Sequence, residues 1–60
     1  MSSAEIIKLL KAAGWTLVRV SGSHHQFKHA TLPNVVTVPH PRKDVPMGTA
    51  RAILKTAGLK

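Results

Sequence analysis

A chain of 60 residues with no cysteine must hold its fold by packing alone, because disulfides and thiolate zinc sites are closed to it. A domain this small buries only about 60% of the surface that its unfolded chain exposes. The core is therefore expected to be one compact layer, with little room for a deep substrate cavity. The apolar share, 43%, is enough for such a core and argues against disorder. One domain over residues 1–60 is the expectation. The apolar runs fall far short of the roughly 20 residues that a membrane span needs. Met1 to Lys11 contain no long apolar run, so neither a membrane segment nor a secretory leader is expected, and a reducing cytoplasm fits the absence of cysteine.

The local signals come in a clear order. Ser2-Ser3-Ala4-Glu5 is a capping box, a serine N-cap with glutamate three residues later. Ile6, Leu9, Leu10 and Ala13 follow at helical spacing, and Gly14 supplies a left-handed stop, which predicts a first helix. Trp15 to Val20 alternates and is rich in β-formers, so it is expected as a strand, with Ser21-Gly22-Ser23 as the turn. His24 to His29 returns as a second strand. After a turn at Pro33-Asn34, Val35 to Val38 is the third, ended by Pro39 and Pro41. His40 to Pro46 is a basic loop punctuated by proline. Pro46 suits the first turn of a second helix with an Ala50, Ile53, Leu54 and Ala57 stripe. Gly58-Leu59 has the form of a Schellman stop, with Leu59 folding back onto Leu54. The expected architecture is α+β, ordered α-β-β-β-α: a three-stranded antiparallel sheet with two helices on one face. The other face is left open.

Charge narrows the function. Nine Lys and Arg oppose two acids, Glu5 and Asp44, for a formal charge of +7. Such a chain attracts polyanions, of which nucleic acid is the commonest. Two acids are too few to build a magnesium site. No helix-turn-helix spacing appears, and Arg51 and Lys55 make a poor recognition helix, so direct DNA reading ranks last. Neither helix has the basic, bulky character of a membrane-surface helix.

Alternation puts His24, Gln26 and Lys28 on one face of the second strand, and His25, Phe27 and His29 on the other. Phe27, the only phenylalanine, is the natural core anchor, so its face is expected to meet the helices and the His24 face to stay open. His24 follows the Gly22-Ser23 turn, whose backbone N–H groups can face a phosphate. Lys28, further along the same face, supplies positive charge, and Arg42 and Lys43 in the basic loop are further candidates for the RNA backbone. Histidine suits RNA cleavage because its ordinary pKa of about 6.5 lets it take or give a proton near neutrality. His29 is expected to cap the edge of the core. His24 and His25 point to opposite faces, which disfavours a zinc site built from the histidines. Trp15, Leu17 and Met47 read as packing residues. With Trp15 and Phe27 the only aromatics, stacking platforms for bases are few and low sequence specificity is expected. So short a chain favours single-stranded RNA over shape reading of a long duplex.

The run Gly22-Ser23-His24-His25-Gln26-Phe27-Lys28-His29 resembles the Gly-Ser-His signature of HicA toxins. Val35 to Pro41, Val45-Pro46-Met47-Gly48-Thr49, Ala52 to Leu59, and the opening Ile6 to Leu10 with Gly14-Trp15 are similar to the same family, in register. Ala30 departs from it, standing where proline is frequent. The resemblance implies a double-stranded-RNA-binding-domain-like fold and an endoribonuclease that cuts messenger RNA and arrests growth without a cofactor. It implies that the essential histidine is His24, with His25 as the fallback. It also implies a HicB-type antitoxin that covers the active site, with operator DNA bound only through that partner. The alternative is a noncatalytic RNA-binding module of the same fold.

Overall fold

The structure, a computed structural model, describes residues 1–59. Its elements are α1 (Ser3–Ala12), β1 (Trp15–Ser21), β2 (His24–His29), β3 (Val36–Pro39) and α2 (Met47–Thr56). The strands form one antiparallel sheet in the order β1-β2-β3.

Ser2 caps α1 as the sequence predicts: its hydroxyl accepts from the Glu5 N–H, and the Glu5 carboxylate accepts from the Ser2 N–H. The helix ends at Gly14, which takes φ +95°. The buried stripe is Ser3, Ile6 and Leu10, with Ile7 packed beside it, whereas Leu9 turns outward to 43% exposure. At the other end of the chain the predicted Schellman stop is present. The Leu59 N–H reaches the Leu54 carbonyl at 2.7 Å, the Gly58 N–H reaches that of Lys55 at 3.0 Å, and Gly58 takes φ +78°. Pro46 is the N-cap of α2 rather than its first helical residue.

Both helices cover the Phe27 side of the sheet. Trp15, Phe27, Val36 and Val38 meet Ile6 and Leu10 of α1 and Ala50 and Ile53 of α2, with Val45 and Ala57 closing the ends. Burying a side chain the size of Phe27 stabilises the fold by about 1.5–3 kcal/mol. Met47, expected to pack, is instead 74% exposed, and the buried residues of α2 are Ala50 and Ile53. β3 begins one residue later than predicted and takes in Pro39; a proline is tolerated at the end of an edge strand.

One feature of β1 breaks its alternation. Leu17 pairs with Phe27 and Arg19 with Gln26, so Val18 is an extra residue in the ladder, a β-bulge.

Candidate nucleic-acid interface

β2 and β1 are joined by the two residues Gly22 and Ser23, with Ser21 paired to His24. Only Gly22 has positive φ, at +58°, and Ser23 does not, which selects a type II′ hairpin turn. His24 thus opens β2 at the mouth of the turn, exposed and on the face away from the helices. Gln26 and Lys28 share that face, as the alternation predicts. Lys28 lies four residues beyond His24, which at the rise of an antiparallel strand is roughly 13 Å along the backbone. Lys28 therefore shares the face but not the immediate surroundings of the imidazole.

His25 occupies the helix side, opposite Val20 and Val38, and is half-buried. Its ring meets that of His40 edge-on, with centroids 4.9 Å apart and planes at 84°. Its Nδ1 is buried and has no hydrogen-bond partner among the described residues. His40 in turn ties the turn to α1. Its N–H donates to the Ser23 carbonyl at 2.8 Å, and its Nδ1 lies 2.7 Å from Ser3 Oγ. Ser3 is 1% exposed, and its hydroxyl accepts from the Arg42 N–H at 2.8 Å and lies 3.1 Å from the Arg42 carbonyl, which also accepts from the Ser3 N–H at 2.9 Å. The backbone of the Arg42-Lys43 loop is fastened by these bonds at the His24 end of the sheet, and both side chains are exposed.

His29 is structural, as expected of a residue at the core's edge. Its Nδ1 accepts from the Thr31 N–H at 3.1 Å, so Nε2 carries the hydrogen donated to the Ala13 carbonyl at 3.0 Å, and the ring stands edge-on to Trp15 at 5.3 Å. The four histidines are thus dealt out singly or in one pair, and among the described residues no three His, Asp or Glu side chains converge.

The acids stay off the sheet. Glu5 sits in the capping box, where the Ser2 backbone N–H and then the Ser2 hydroxyl hold its carboxyl below the ordinary glutamate value. Asp44 lies 3.5 Å from the terminal ammonium, the one salt bridge among the described residues. Among the described residues the open face consequently presents cations without carboxylate partners. Two contributors escape a reading by alternation and motif: the Ser3-His40 link, between residues far apart in sequence, and Arg19, which the bulge moves to the face of Gln26.

Two helices on one face of an α-β-β-β-α sheet, with the other face bare and basic, define a small domain of the double-stranded-RNA-binding-domain type. The profile of the family described as HicA toxin of bacterial toxin-antitoxin matches residues 3–59. The chain belongs to the HicA toxin family. It is similar to a solved chain of a "HicA3 and HicB3 toxin-antitoxin complex", at 38% identity and TM-score 0.86, with 100% of this chain and 97% of the other covered. It is also similar to a chain of a "Toxin-Antitoxin complex from Streptococcus pneumoniae", at 33% identity and TM-score 0.83, with 98% of each covered. No curated protein matches it. Among the described residues no helix is long and apolar enough to cross a membrane.

Proposed function

We propose that this toxin is a metal-independent endoribonuclease that cuts messenger RNA and arrests growth, with His24 as its general base or acid. The carrying observation is His24 itself, exposed at the mouth of the Gly22-Ser23 turn on a sheet face where no described residue places a carboxylate. In the reaction a base removes the proton of the ribose 2′-OH, and the freed oxygen attacks the adjacent phosphorus. The bond to the 5′-oxygen breaks, and an acid returns a proton to that leaving oxygen. The backbone N–H groups of Gly22 and Ser23, with the cations of the open face, stabilise the charge that builds on the phosphate oxygens. Arg42 and Lys43 hold RNA backbone at the same end of the sheet. His25 faces the helices, so it supports the turn through His40 rather than meeting substrate. The reading also takes a HicB-type antitoxin with an acidic surface as the partner, operator DNA as bound only through that partner, and the cytoplasm as the place of action. The two solved relatives, both from toxin-antitoxin complexes, support the partner assignment.

The purified chain, incubated with RNA in excess EDTA, should shorten it. His24→Ala should slow cleavage by about 10²–10⁴-fold. Full activity in that variant refutes the role of His24. RNA that is bound but left intact by the unaltered chain marks a noncatalytic binding module instead.

A further inference from the structure

An unbroken period of two from Trp15 would carry Arg19 to the Trp15 side of the sheet, where the helices pack. The bulge at Val18 prevents this. By adding one residue before Arg19, it reverses the facing of the rest of β1, so that Arg19 stands opposite Gln26 and Ser21 opposite His24. Directly paired residues share a face. The register therefore delivers a guanidinium to the open face midway along β2.

Its position there is specific. His24 and Lys28 lie two residues to either side of Gln26, so both are diagonal neighbours of Arg19 across the β1-β2 ladder. Diagonal neighbours stand about 7–8 Å apart, within reach of a long side chain. Arg19 fills the gap between the imidazole and the distant Lys28 ammonium. Among the described residues no carboxylate pairs with it: Glu5 is bound in its capping box and Asp44 lies by the terminal ammonium. Between the two cations, Gln26 is half-buried and offers an uncharged amide.

We propose that Arg19 and Lys28, flanking Gln26, form a phosphodiester-binding subsite that holds the backbone phosphate next to the one at His24. The planar guanidinium suits two oxygens of a phosphate, with Lys28 as a point charge behind it. The proposal rests on the reading of RNA as the ligand. It explains what the bulge accomplishes: a straight strand of the same residues would leave His24 with no cation nearby on its face.

The test separates binding from cleavage by working in a His24→Ala background. Binding of a fluorescently labelled single-stranded RNA is measured over a series of salt concentrations. Each phosphate neutralised on a single strand contributes about −0.7 to the slope of log K against log salt. Adding Arg19→Ala should make the slope shallower by about 0.7, and Arg19→Lys should retain it. Deleting Val18 closes the bulge but leaves Arg19, then next to Leu17, opposite Gln26 on the open face, so that variant should keep the slope; circular dichroism reports whether it is folded, and Arg19→Ala decides the matter if it is not. Lys11→Ala, on the far helix, should leave the slope nearly unchanged. The subsite is overturned if Arg19→Ala leaves the slope intact, or if Lys11→Ala lowers it as much. An Arg19-dependent slope in a toxin that cuts no RNA would sink the ribonuclease reading and leave the subsite standing. RNA cutting with a slope indifferent to Arg19 does the reverse, and no RNA binding at low salt ends both.

Discussion

Ser3→Ala isolates the link between α1 and the loop that borders the candidate site. The substitution leaves the N-cap alone, since that is Ser2. It also places the better helix former inside α1, which by itself stabilises the helix by a few tenths of a kcal/mol, at most about 0.7. If the Ser3 hydroxyl did nothing further, the variant would melt slightly higher. The structure predicts the opposite sign. Removing Oγ takes away the acceptor of the Arg42 N–H and the partner 2.7 Å from His40 Nδ1. A buried polar group left unpaired costs about 1–3 kcal/mol, and these groups are only part-buried, so about 2 kcal/mol for the two together is the expected loss. At about 0.05–0.15 kcal/mol per residue a chain this short has only about 3–9 kcal/mol in all. Each kcal/mol moves the melting midpoint of such a domain by about 4–8 °C, so a drop of about 8–16 °C should follow. Far-UV circular dichroism, with fluorescence of the buried Trp15, measures it. Hydrogen exchange adds a local readout, because the Arg42 amide should lose its protection first. A midpoint that rises, or an Arg42 amide as protected as before, would show that the network holds nothing.

Other substitutions test other parts of the fold. Gly14→Ala meets strain at φ +95° and places a Cβ 2.9 Å from His29 Nε2, so it should lose about 2–3 kcal/mol and shift the Trp15 fluorescence as His29 leaves its ring. Gly48→Ala, whose Cβ meets nothing within 4 Å in the first turn of α2, should instead raise stability by about 0.4–1 kcal/mol in a denaturant titration. His25→Phe removes a buried, unpaired Nδ1 and keeps an aromatic ring against His40, so its midpoint should be unchanged or higher and RNA cleavage should survive. A loss of cleavage there would return the catalytic role to His25. Because the Glu5 carboxyl is held below its ordinary value in the folded chain, its contribution is present above the unfolded value and is lost as pH falls through the folded one. Glu5→Gln should therefore show a smaller fall in melting midpoint on acidification than the unaltered chain.

The parts legible from sequence are those governed by neighbours in the chain. Ser2 with Glu5, Gly14, and Gly58 with Leu59 each make a local hydrogen-bond pattern that residue type and spacing suffice to specify. The facing of His24 and Phe27 was equally plain, because one large apolar residue sets the phase of a short alternating strand. Leu17-Val18-Arg19-Val20 was different. All four residues suit a strand, no glycine marks the bulge, and only the register with β2 reveals that Val18 is supernumerary. Ser3 reads as one more residue of a helix start, and His40 as part of a loop. Their contact joins residues 37 apart, and no periodicity within either segment foretells it.

The division of labour between the two faces has a consequence for how loss of function should be interpreted. On the helix side, Trp15, Phe27, Val36 and Val38 supply the strands' share of the buried core. On the other side, His24, Lys28 and Arg19 are exposed, and their side chains make no hydrogen bond or ion pair among the described residues. Surface substitutions of that kind usually change stability by no more than about 0.5 kcal/mol. Activity lost through His24, Arg19 or Lys28 therefore reports on chemistry or ligand binding, with the fold intact. Ser3 and His40 break the rule, because they belong to the packed side yet fasten the turn that presents His24. In variants of those two residues, loss of activity and loss of stability should rise together.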